Sequence, residues 1–550
     1  MFIPKSVLCL RGYSFNQFRG DISAGLVVGL VALPLAMAFA IASGLPPERG
    51  LYTAIVAGFI ISLLSGSKVQ IGGPTGAFVV IVSGIVAKFG YNGLALATLM
   101  AGVFLLIMGF TQMGNMVKFI PYPVTTGFTS GIAVIIFSSQ IKDFFGLNIG
   151  NVPAEFVPKW MSYFKAFPTL NFWSLGVALF TTLSIIYWPK RWQRIPGSVI
   201  AIFLASLFVY TFNIPVDTIQ SRFGSVPSGL PHPAIPHLSL EEIKLVSSSA
   251  LTIAILAAIE SLLSAVVADS MINGRHKSNM ELVAQGAANL VSPLFGGIPA
   301  TGAIARTATN VKNGGRTPVA GMIHAIVLFL ILLVAGSWAA KIPLACLAGV
   351  LVVVSYHMSE WRSFRFMLSA PKSDIAVLLF TFFLTVFIDL TVAVEVGMVL
   401  SAFLFMKNMA DLTQVRSISK ELQINENISD ESSSSKTKIP EGVELFSVHG
   451  SLFFGAANKL IEMIRLMSKK PKIVLLDLSD ALHMDASGLH VIDQIHRECK
   501  TSGIRLIFIG THAQPLIIMQ QMNKFEEFGK ENFKENIEEA LFVTQSVNRV

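Results

Sequence analysis

The sequence has few charged residues and little cysteine, and both shortages narrow the class of protein. Only 13% of the 550 residues are charged, whereas 53% are hydrophobic and the mean hydropathy is +0.64. This composition is typical of a protein that crosses the membrane many times. The three cysteines, Cys9, Cys346 and Cys499, lie far apart, so the sequence predicts neither a disulfide framework nor a cysteine metal site.

Signatures of catalysis and of nucleic-acid binding are missing too. The sequence contains no Gly-rich phosphate loop, nucleophile elbow or metal triad. Its net charge of +8 is divided among many short loops, which suits the cytoplasmic loops of a membrane protein better than a nucleic-acid surface. We therefore predict that the protein is not an enzyme, needs no cofactor and binds no nucleic acid.

Apolar runs are abundant, and a polar stretch at 213–249 divides them into two sets of seven. A full span needs about 20 apolar residues, and shorter runs indicate half-spanning pieces. The segments lie near 22–43, 51–65, 75–87, 92–113, 123–140, 173–189 and 196–212, then near 250–270, 279–292, 302–311, 317–336, 341–357, 373–389 and 391–409. The third and tenth are the short ones. We predict two seven-segment halves, of which the second is inverted because seven is odd.

Two similar stretches precede the short segments, at 71–77 and 296–303, and each combines Gly, Pro and Thr. Such breaks in a membrane helix are tolerated only where the backbone faces protein or a watery cavity. Paired breaks in two halves indicate the binding site of a secondary transporter. Two helix N-termini would then point at one place near the membrane midplane and form an anion site. The alternative is two unrelated loops that dip into the bundle.

These stretches supply most candidate substrate-binding residues. Threonine hydroxyls can contact an oxyanion or a cation, and glycines allow close backbone approach. Arg306 is costly in a membrane unless it is paired or faces a cavity, so it either completes the anion site or serves a structural ion pair. Pro34 would kink the first segment near the site or only aid packing. The candidate set is Pro34, Gly73, Thr75, Gly76, Ala77, Phe78, Thr301, Gly302, Ala303 and Arg306.

The eighth segment contains an intramembrane carboxylate, Glu260, with Ser264 one turn later on the same face. An acid in this environment is a functional-site hypothesis by default. We predict that Glu260 and Ser264 bind H⁺ or Na⁺ and couple transport to a gradient, although Glu260 could instead neutralise Arg306. No metal site is certain, and a Na⁺ ion would use Thr75, Glu260, Ser264 and Thr301.

Charge sets the expected orientation and the domain limits. With the N-terminus inside, short basic loops face the cytoplasm; they contain Lys190, Arg191, Arg194, Arg275, Lys277, Lys312, Arg316, Arg362, Arg365 and Lys372. We predict a multi-pass protein of the plasma (inner) membrane with both termini cytoplasmic. The predicted domains are an N-terminal segment (1–20), a transmembrane transport domain (21–410), a flexible linker (411–439) and a small α/β domain (440–550), in which strand and helix patterns alternate.

Several motifs, in order, resemble the sulfate permease (SulP) family of anion transporters with a C-terminal STAS domain. They are Leu33-Pro34, Ser43-Gly44, Gly73-Pro74-Thr75-Gly76, Glu260-Ser261-Leu262-Leu263, Thr301 to Arg306, Leu476-Asp477-Leu478-Ser479 and Met484-Asp485-Ala486-Ser487-Gly488-Leu489. The resemblance implies core and gate domains, substrate between the first, third, eighth and tenth segments, alternating access and a homodimer. It also associates Thr75, Glu260, Ser264 and the Thr301 region with cation or substrate binding, and Arg306 with the anion.

The resemblance leaves the substrate and one serine open. Leu35 follows the proline where many sulfate carriers have Gln, so bicarbonate and C4-dicarboxylates stand beside sulfate. Ser487 matches the regulatory serine that is phosphorylated in soluble STAS proteins, or it is a plain helix cap. The main hypothesis is a secondary active anion transporter coupled to H⁺ or Na⁺. The alternatives are a nucleobase permease of the same fold and a signalling module that acts through its STAS domain.

Overall fold

The computed structural model describes residues 2–115, 121–150, 152–153, 155–189, 196–225, 227, 229–236, 239–388, 390–417, 439–440, 442–465 and 471–547. The basic residues Lys190, Arg191 and Arg194 and most of the predicted linker lie outside these ranges. The chain divides into two compact units, Met1–Val399 and Leu400–Val550. Each unit is described by itself, and the predicted domain limits stay predictions.

The first unit is helical apart from one two-stranded ladder. Its elements are α1 (Lys5–Leu10), α2 (Phe15–Ala42), α3 (Pro47–Leu64), β1 (Gly72–Gly73), α4 (Val79–Phe110), α5 (Tyr122–Phe145), α6 (Phe156–Ala166), α7 (Phe172–Ile186), α8 (Gly197–Thr211), α9 (Ile219–Phe223), α10 (Leu240–Ile272), α11 (Ser278–Val291), β2 (Thr301–Gly302), α12 (Ile304–Lys312), α13 (Val319–Ala339), α14 (Leu344–Met358), α15 (Trp361–Met367), α16 (Lys372–Phe387) and α17 (Leu390–Leu412), whose last part belongs to the second unit. Among the described residues, eight helices are long and apolar enough to cross a membrane, judged by length and composition.

Each of the fourteen predicted segments coincides with a helix or with one arm of a helix. The third and fourth segments are the two arms of α4, which turns sharply at Gly90 (φ 66°, ψ −170°). That left-handed conformation is easily adopted only by glycine. The prediction missed α1, α6, α9 and α15, and it began α10 ten residues too late. These elements are short or have a polar face, so they give no long apolar run.

The spanning helices form two bundles, which are the predicted core and gate. Helices α2, α3, α4 and α10 to α13 pack together as the core, and α5, α7, α8, α14 and α16 pack together as the gate. The first core helix, α2, begins with a capping box. The Ser14 hydroxyl accepts from the Gln17 amide, and the Gln17 side chain accepts from the Ser14 amide. Each bundle draws helices from both halves of the sequence, as an inverted repeat requires.

The second unit is an α/β domain. After β3 (Gln414–Ser417) come β4 (Val443–Leu452), α18 (Phe454–Arg465), β5 (Ile473–Asp477), β6 (Ala481–Met484), α19 (Ala486–Thr501), β7 (Arg505–Ile509), α20 (Ala513–Gln521), α21 (Lys524–Glu527), β8 (Phe533–Lys534) and α22 (Ile537–Val547). The sheet order is β3-β4-β5-β7-β8, with β3 antiparallel and the other pairs parallel, and β6 pairs with β4. The predicted alternation of strands and helices is confirmed, although the short strands β3, β6 and β8 were missed.

Candidate functional site

The two Gly/Pro stretches meet in the core and pair with each other. Strand β1 is antiparallel to β2, with Gly72 opposite Gly302 and Gly73 opposite Thr301. The amide of Ala303 extends the ladder by donating to the Ile71 carbonyl over 2.8 Å. The chain leaves β1 into a 3₁₀ turn (Gly76–Phe78) that leads into α4, and it leaves β2 directly into α12. Two helix N-termini therefore begin beside one buried ladder.

Arg306 links the two stretches. Its guanidinium donates to the carbonyl of Pro74 through Nη2, and a Cβ added at Gly73 would lie 2.5 Å from Nη1. The side chain is only 2% exposed, and Nη1 is buried without a hydrogen-bond partner. No ion pair joins Arg306 to Glu260 or to any other acid of the described ranges. A buried cation with an unused donor is an arrangement that a bound anion could satisfy.

The two threonines of the stretches differ in their use. Thr75 caps the 3₁₀ turn with extended backbone, and its hydroxyl is buried without a partner. Thr301 lies in β2, and its hydroxyl donates to the Ala257 carbonyl of α10 over 2.9 Å. The Thr75 hydroxyl is thus free for a ligand, whereas the proton of Thr301 already serves the fold. The remaining lone pairs of Thr301 can still accept.

The start of α4 faces the gate. A Cβ at Gly76 would lie 2.8 Å from the Met358 sulfur, 3.1 Å from Ile136 and 3.3 Å from the Phe39 ring. Met358 and Ile136 belong to gate helices α14 and α5, so Gly76 is where core and gate touch. Sequence reasoning missed these three apolar neighbours, because apolar residues in apolar helices carry no local signal.

Two other candidates from the same turn, and one from α2, are placed less directly. Ala77 and Phe78 are part of this turn, and both side chains are fully buried in the core. Pro34 is buried inside α2, where its ring removes one helical hydrogen bond. The side chain that α2 brings to the start of α4 is Phe39 rather than Pro34. A direct role of Pro34 stays a prediction.

Glu260 and Ser264 lie on the part of α10 that packs against α12. Glu260 is 8% exposed, and no described residue forms a hydrogen bond or ion pair with its carboxylate. Ser264 is fully buried and lies 3.3 Å from the Thr307 hydroxyl, which also accepts from the Ile71 amide over 3.0 Å. Glu260 is therefore available to a cation, whereas Ser264 already belongs to the network around the ladder. Among the described residues, no group of three or more His, Cys, Asp and Glu side chains could hold a metal ion.

A second buried acid, Glu281, which sequence reasoning missed, binds the chain segment that precedes the ladder. The Glu281 carboxylate accepts from Ser65 and from the amides of Gly66 and Ser67 over 2.8 to 3.2 Å, and also from Ser261 and from Gln285. These five donors surround both carboxylate oxygens, so the buried acid is stabilised by hydrogen bonds rather than by an ion pair with a described residue. The only signal was an acid within an apolar-looking segment. Its role is to fix the chain just before β1.

Arg49 and Tyr91 hold the other end of the second stretch. The Arg49 guanidinium donates to the Gly296 carbonyl over 3.0 Å and stacks 3.4 Å above the Tyr91 ring. The Tyr91 hydroxyl donates to the Gly297 carbonyl over 2.9 Å. These contacts anchor the loop before β2 to α3 and α4.

Another residue that the sequence did not single out is His324 of α13, which is buried close to Gly58. Neither ring nitrogen forms a hydrogen bond with a described residue.

Comparison with known proteins decides the family. Residues 18–381 match the sulfate permease family, and residues 434–540 match the STAS domain. The chain belongs to the sulfate permease family. A Bacillus subtilis protein with the name "Putative sulfate transporter YvdB" is 39% identical over 531 residues, 96% of this chain and 98% of the relative. The "Bicarbonate transporter BicA" of Picosynechococcus is 31% identical over 546 residues, 96% of this chain and 94% of that one.

The fold has a solved counterpart as well. The structure of murine Solute Carrier 26 family member A9, an anion transporter, matches with a TM-score of 0.86 at 19% identity, over 99% of this chain and 94% of that one. At this identity the match shows the fold alone. The predicted family, STAS domain and inverted-repeat fold are confirmed. The relatives also confirm a family of transporters rather than of enzymes.

Ser487 lies in the STAS domain at the start of α19. It is exposed in the first turn of the helix, whereas the N-cap is Asp485, whose carboxylate accepts from the Gly488 amide over 2.7 Å. The alternative that Ser487 is a plain helix cap is therefore wrong, because Asp485 already fills that position. Phosphorylation of Ser487 is not tested and stays a prediction.

Proposed function

We propose that this protein is a secondary active transporter that moves a small oxyanion or carboxylate by alternating access, driven by H⁺ or Na⁺. The observation that carries the proposal is the pair of unused donors beside the β1–β2 ladder. Arg306 Nη1 and the Thr75 hydroxyl are both buried and unpartnered. Leaving such groups unsatisfied costs free energy, which a bound anion would recover.

The position of this site suits transport. The turn at Gly76 belongs to the core, and its nearest neighbours include Met358 and Ile136 of the gate. An anion bound at the start of α4 would therefore lie between core and gate. Movement of the core against the gate would expose it first to one side of the membrane and then to the other.

Glu260 is the proposed coupling group. Its carboxylate lies inside the core and has no partner among the described residues. Glu260 belongs to α10, the helix whose Ala257 carbonyl accepts from the Thr301 hydroxyl. A proton or Na⁺ bound there would offset the carboxylate charge while the anion is bound at Arg306. Ser264 and Thr301 would support such a cation through lone pairs, since their hydroxyl groups already contact other core residues.

We base our proposals for the substrate, the oligomeric state and the cellular location on the family. We place bicarbonate, sulfate and C4-dicarboxylates such as fumarate on the substrate panel, because relatives that cover the whole chain bear the names of sulfate and bicarbonate transporters. We propose a homodimer in the plasma (inner) membrane, with the N-terminus and STAS domain in the cytoplasm. The described basic residues Arg275, Lys277 and Lys312 then face inward, as the positive-inside rule expects.

The test is uptake into proteoliposomes. Purified protein is reconstituted, and uptake of labelled bicarbonate, sulfate, fumarate and uracil is measured with an imposed Na⁺ or H⁺ gradient. Glu260→Gln is compared with Glu242→Gln, which changes an exposed acid in the first turn of the same helix. We expect one anion to accumulate only with a gradient, and we expect Glu260→Gln but not Glu242→Gln to abolish the accumulation.

Each other outcome points elsewhere. Uracil uptake without anion uptake would favour the nucleobase permease. Anion uptake that ignores both gradients and survives Glu260→Gln would leave an anion carrier but reject the coupling role. No uptake of any compound into vesicles shown to be tight and correctly loaded would move the signalling alternative forward, and Ser487→Ala would then be the variant to examine.

A further inference from the structure

The first residues of the chain form an elbow, defined here as residues 2–15, that is docked on the ends of core helices. The Lys5 amide donates to the Ser65 carbonyl over 2.8 Å, and the Ser6 hydroxyl donates to the Leu63 carbonyl over 2.5 Å, both at the end of α3. The Lys277 ammonium donates to the Ile3 carbonyl over 3.0 Å, just before α11. These bonds hold the elbow at one end of the membrane-spanning bundle.

Three lysines crowd together under the elbow. Burial and the neighbouring ammonium groups of Lys68 and Lys277 lower the pKa of Lys5 from its ordinary value. Asp269 favours the charged form of Lys5, but this acid already binds His276 over 2.7 Å. No ion pair within the described ranges satisfies any of the three lysines. The cluster therefore has excess positive charge that an anion would relieve.

The elbow also presents apolar side chains to the surroundings. Val7, Leu10 and Phe15 are 47%, 54% and 72% exposed, and Phe2 packs its ring 5.5 Å from that of Phe110 at the end of α4. In a soluble protein such exposure is unfavourable, whereas at the end of membrane helices these side chains meet the boundary between headgroups and acyl chains. Basic and apolar groups thus lie side by side.

A polar cavity adjoins the first residue of the elbow and the start of α11. It has a volume of about 250 Å³ and is lined by Phe2, Gln112, Lys277 and Asn279, among others. The cavity offers an ammonium and amide groups, the donors that suit a phosphate diester. Its wall also includes Phe2, whose ring packs against that of Phe110.

We propose that the N-terminal elbow binds an anionic phospholipid, with the headgroup phosphate at Lys5, Lys68 and Lys277 and the acyl chains beside Val7, Leu10 and Phe15. Anionic lipids attract clustered lysines near a membrane surface. The apolar side chains next to the lysines favour a lipid over a soluble phosphate. This inference does not depend on which anion is transported.

Lipid binding should reach the core through one loop. Residues 65–67 receive the elbow through the Ser65 carbonyl and also hold Glu281 through Ser65 and two amides. An occupied lipid site fixes the elbow and therefore this loop. Bound anionic lipid is expected to raise the melting temperature of the protein.

The experiment uses the full chain in neutral detergent. Phosphatidylglycerol, phosphatidylcholine and sn-glycerol 3-phosphate are titrated in turn, bound lipids are counted by native mass spectrometry, and melting is followed in the same samples. The test variant is Lys5→Gln/Lys68→Gln/Lys277→Gln. A charge-keeping variant changes the same lysines to Arg. The matched control removes three basic residues of other loops, as Arg362→Gln/Arg365→Gln/Lys372→Gln.

We expect phosphatidylglycerol alone to bind and stabilise the native chain, the control and the Arg variant, with affinity reduced about tenfold or more in the Gln variant. Equal loss in the matched control would mean general charge attraction and would overturn the proposal. Equal binding by the Gln variant would overturn it too. If sn-glycerol 3-phosphate competed with the lipid at equal concentration, the ligand of the elbow would be a soluble anion, and the lipid proposal would be overturned. Circular dichroism of the Arg and Gln variants distinguishes lost binding from lost folding.

Discussion

The two Gly/Pro stretches share the letters Thr-Gly-Ala, at 75–77 and at 301–303, yet the structure gives those letters different places. In the first stretch the threonine follows β1 and caps the turn into α4. In the second it lies within β2, and Ala303 is the residue that caps α12. The two regions that sequence similarity singled out do pair with each other, but the shared letters occupy different structural positions.

This difference separates what the repeat supplies from what one half alone supplies. Both halves give a short strand and a helix start, so the backbone site is nearly symmetric. Beside the ladder, the first half supplies Thr75, whose hydroxyl has no partner among the described residues, and the second half supplies Arg306, the cation that contacts the first stretch. The inverted repeat builds a nearly symmetric backbone frame, and the side chains that the two halves place on it differ.

Removing the cation should have the largest effect. Arg306→Gln deletes the only charge that reaches the ladder from α12 and leaves the Pro74 carbonyl without its strong donor. We expect uptake of the transported anion at low concentration to fall by about 30-fold or more, the loss typical of a buried charged contact. The matched control is Lys312→Gln, which removes an exposed charge at the end of the same helix. Uptake rates in proteoliposomes check both variants.

A near-normal rate for Arg306→Gln would mean that the helix N-termini alone bind the anion. An equal loss in Lys312→Gln would instead point to the general charge of α12 and remove the special role of Arg306. Detergent melting curves show whether either variant is merely unfolded.

The next test concerns the frame. A Cβ at Gly302 would overlap the Gln70 side-chain nitrogen and lie 3.2 Å from the Ser261 Cα, so Gly302→Ala should push the ladder apart. Overpacking of this kind costs about 1–3 kcal/mol, and we expect a lower melting temperature together with lost uptake. Gly84→Ala is the control, since a Cβ there meets nothing within 4 Å. If both variants melt alike, the close approach at Gly302 is not a constraint on the fold.

The sequence predicted the features that depend on neighbouring residues, and it missed those that depend on residues far apart in the chain. Apolar periodicity and Gly/Pro breaks are local, so the sequence predicted the fourteen segments and the two stretches that form β1 and β2. The register of Gly72 on Gly302 arises from tertiary pairing, and no local pattern contains it. Helices α6 and α9 were missed for a different reason, because short elements or elements with a polar face give no long apolar run. The sequence also identified Arg306 and Glu260, because charges in apolar segments are rare.

The neighbours of the site were harder to predict. Met358 and Ile136 matter only because the gate brings them to Gly76, and apolar residues are common in every helix. Glu281 was overlooked although it is the same residue type as Glu260, since a fully hydrogen-bonded acid and an acid without such partners look alike in sequence. Hydrogen-bond partners, rather than residue type, separate the structural acid from the candidate coupling acid.

The finest test compares the two threonines. Thr75→Val removes a hydroxyl that has no hydrogen-bond partner among the described residues, so the free energy of unfolding should change by less than about 0.5 kcal/mol or rise, while KM for the anion increases about tenfold. Thr301→Val removes the bond to the Ala257 carbonyl and should cost about 1 kcal/mol of stability, with a smaller change in KM. Melting in detergent and concentration-dependent uptake measure both quantities in the same preparations. If Thr301→Val raised KM more than Thr75→Val did, the threonines would have exchanged roles, and the anion would lie closer to β2 than to the start of α4.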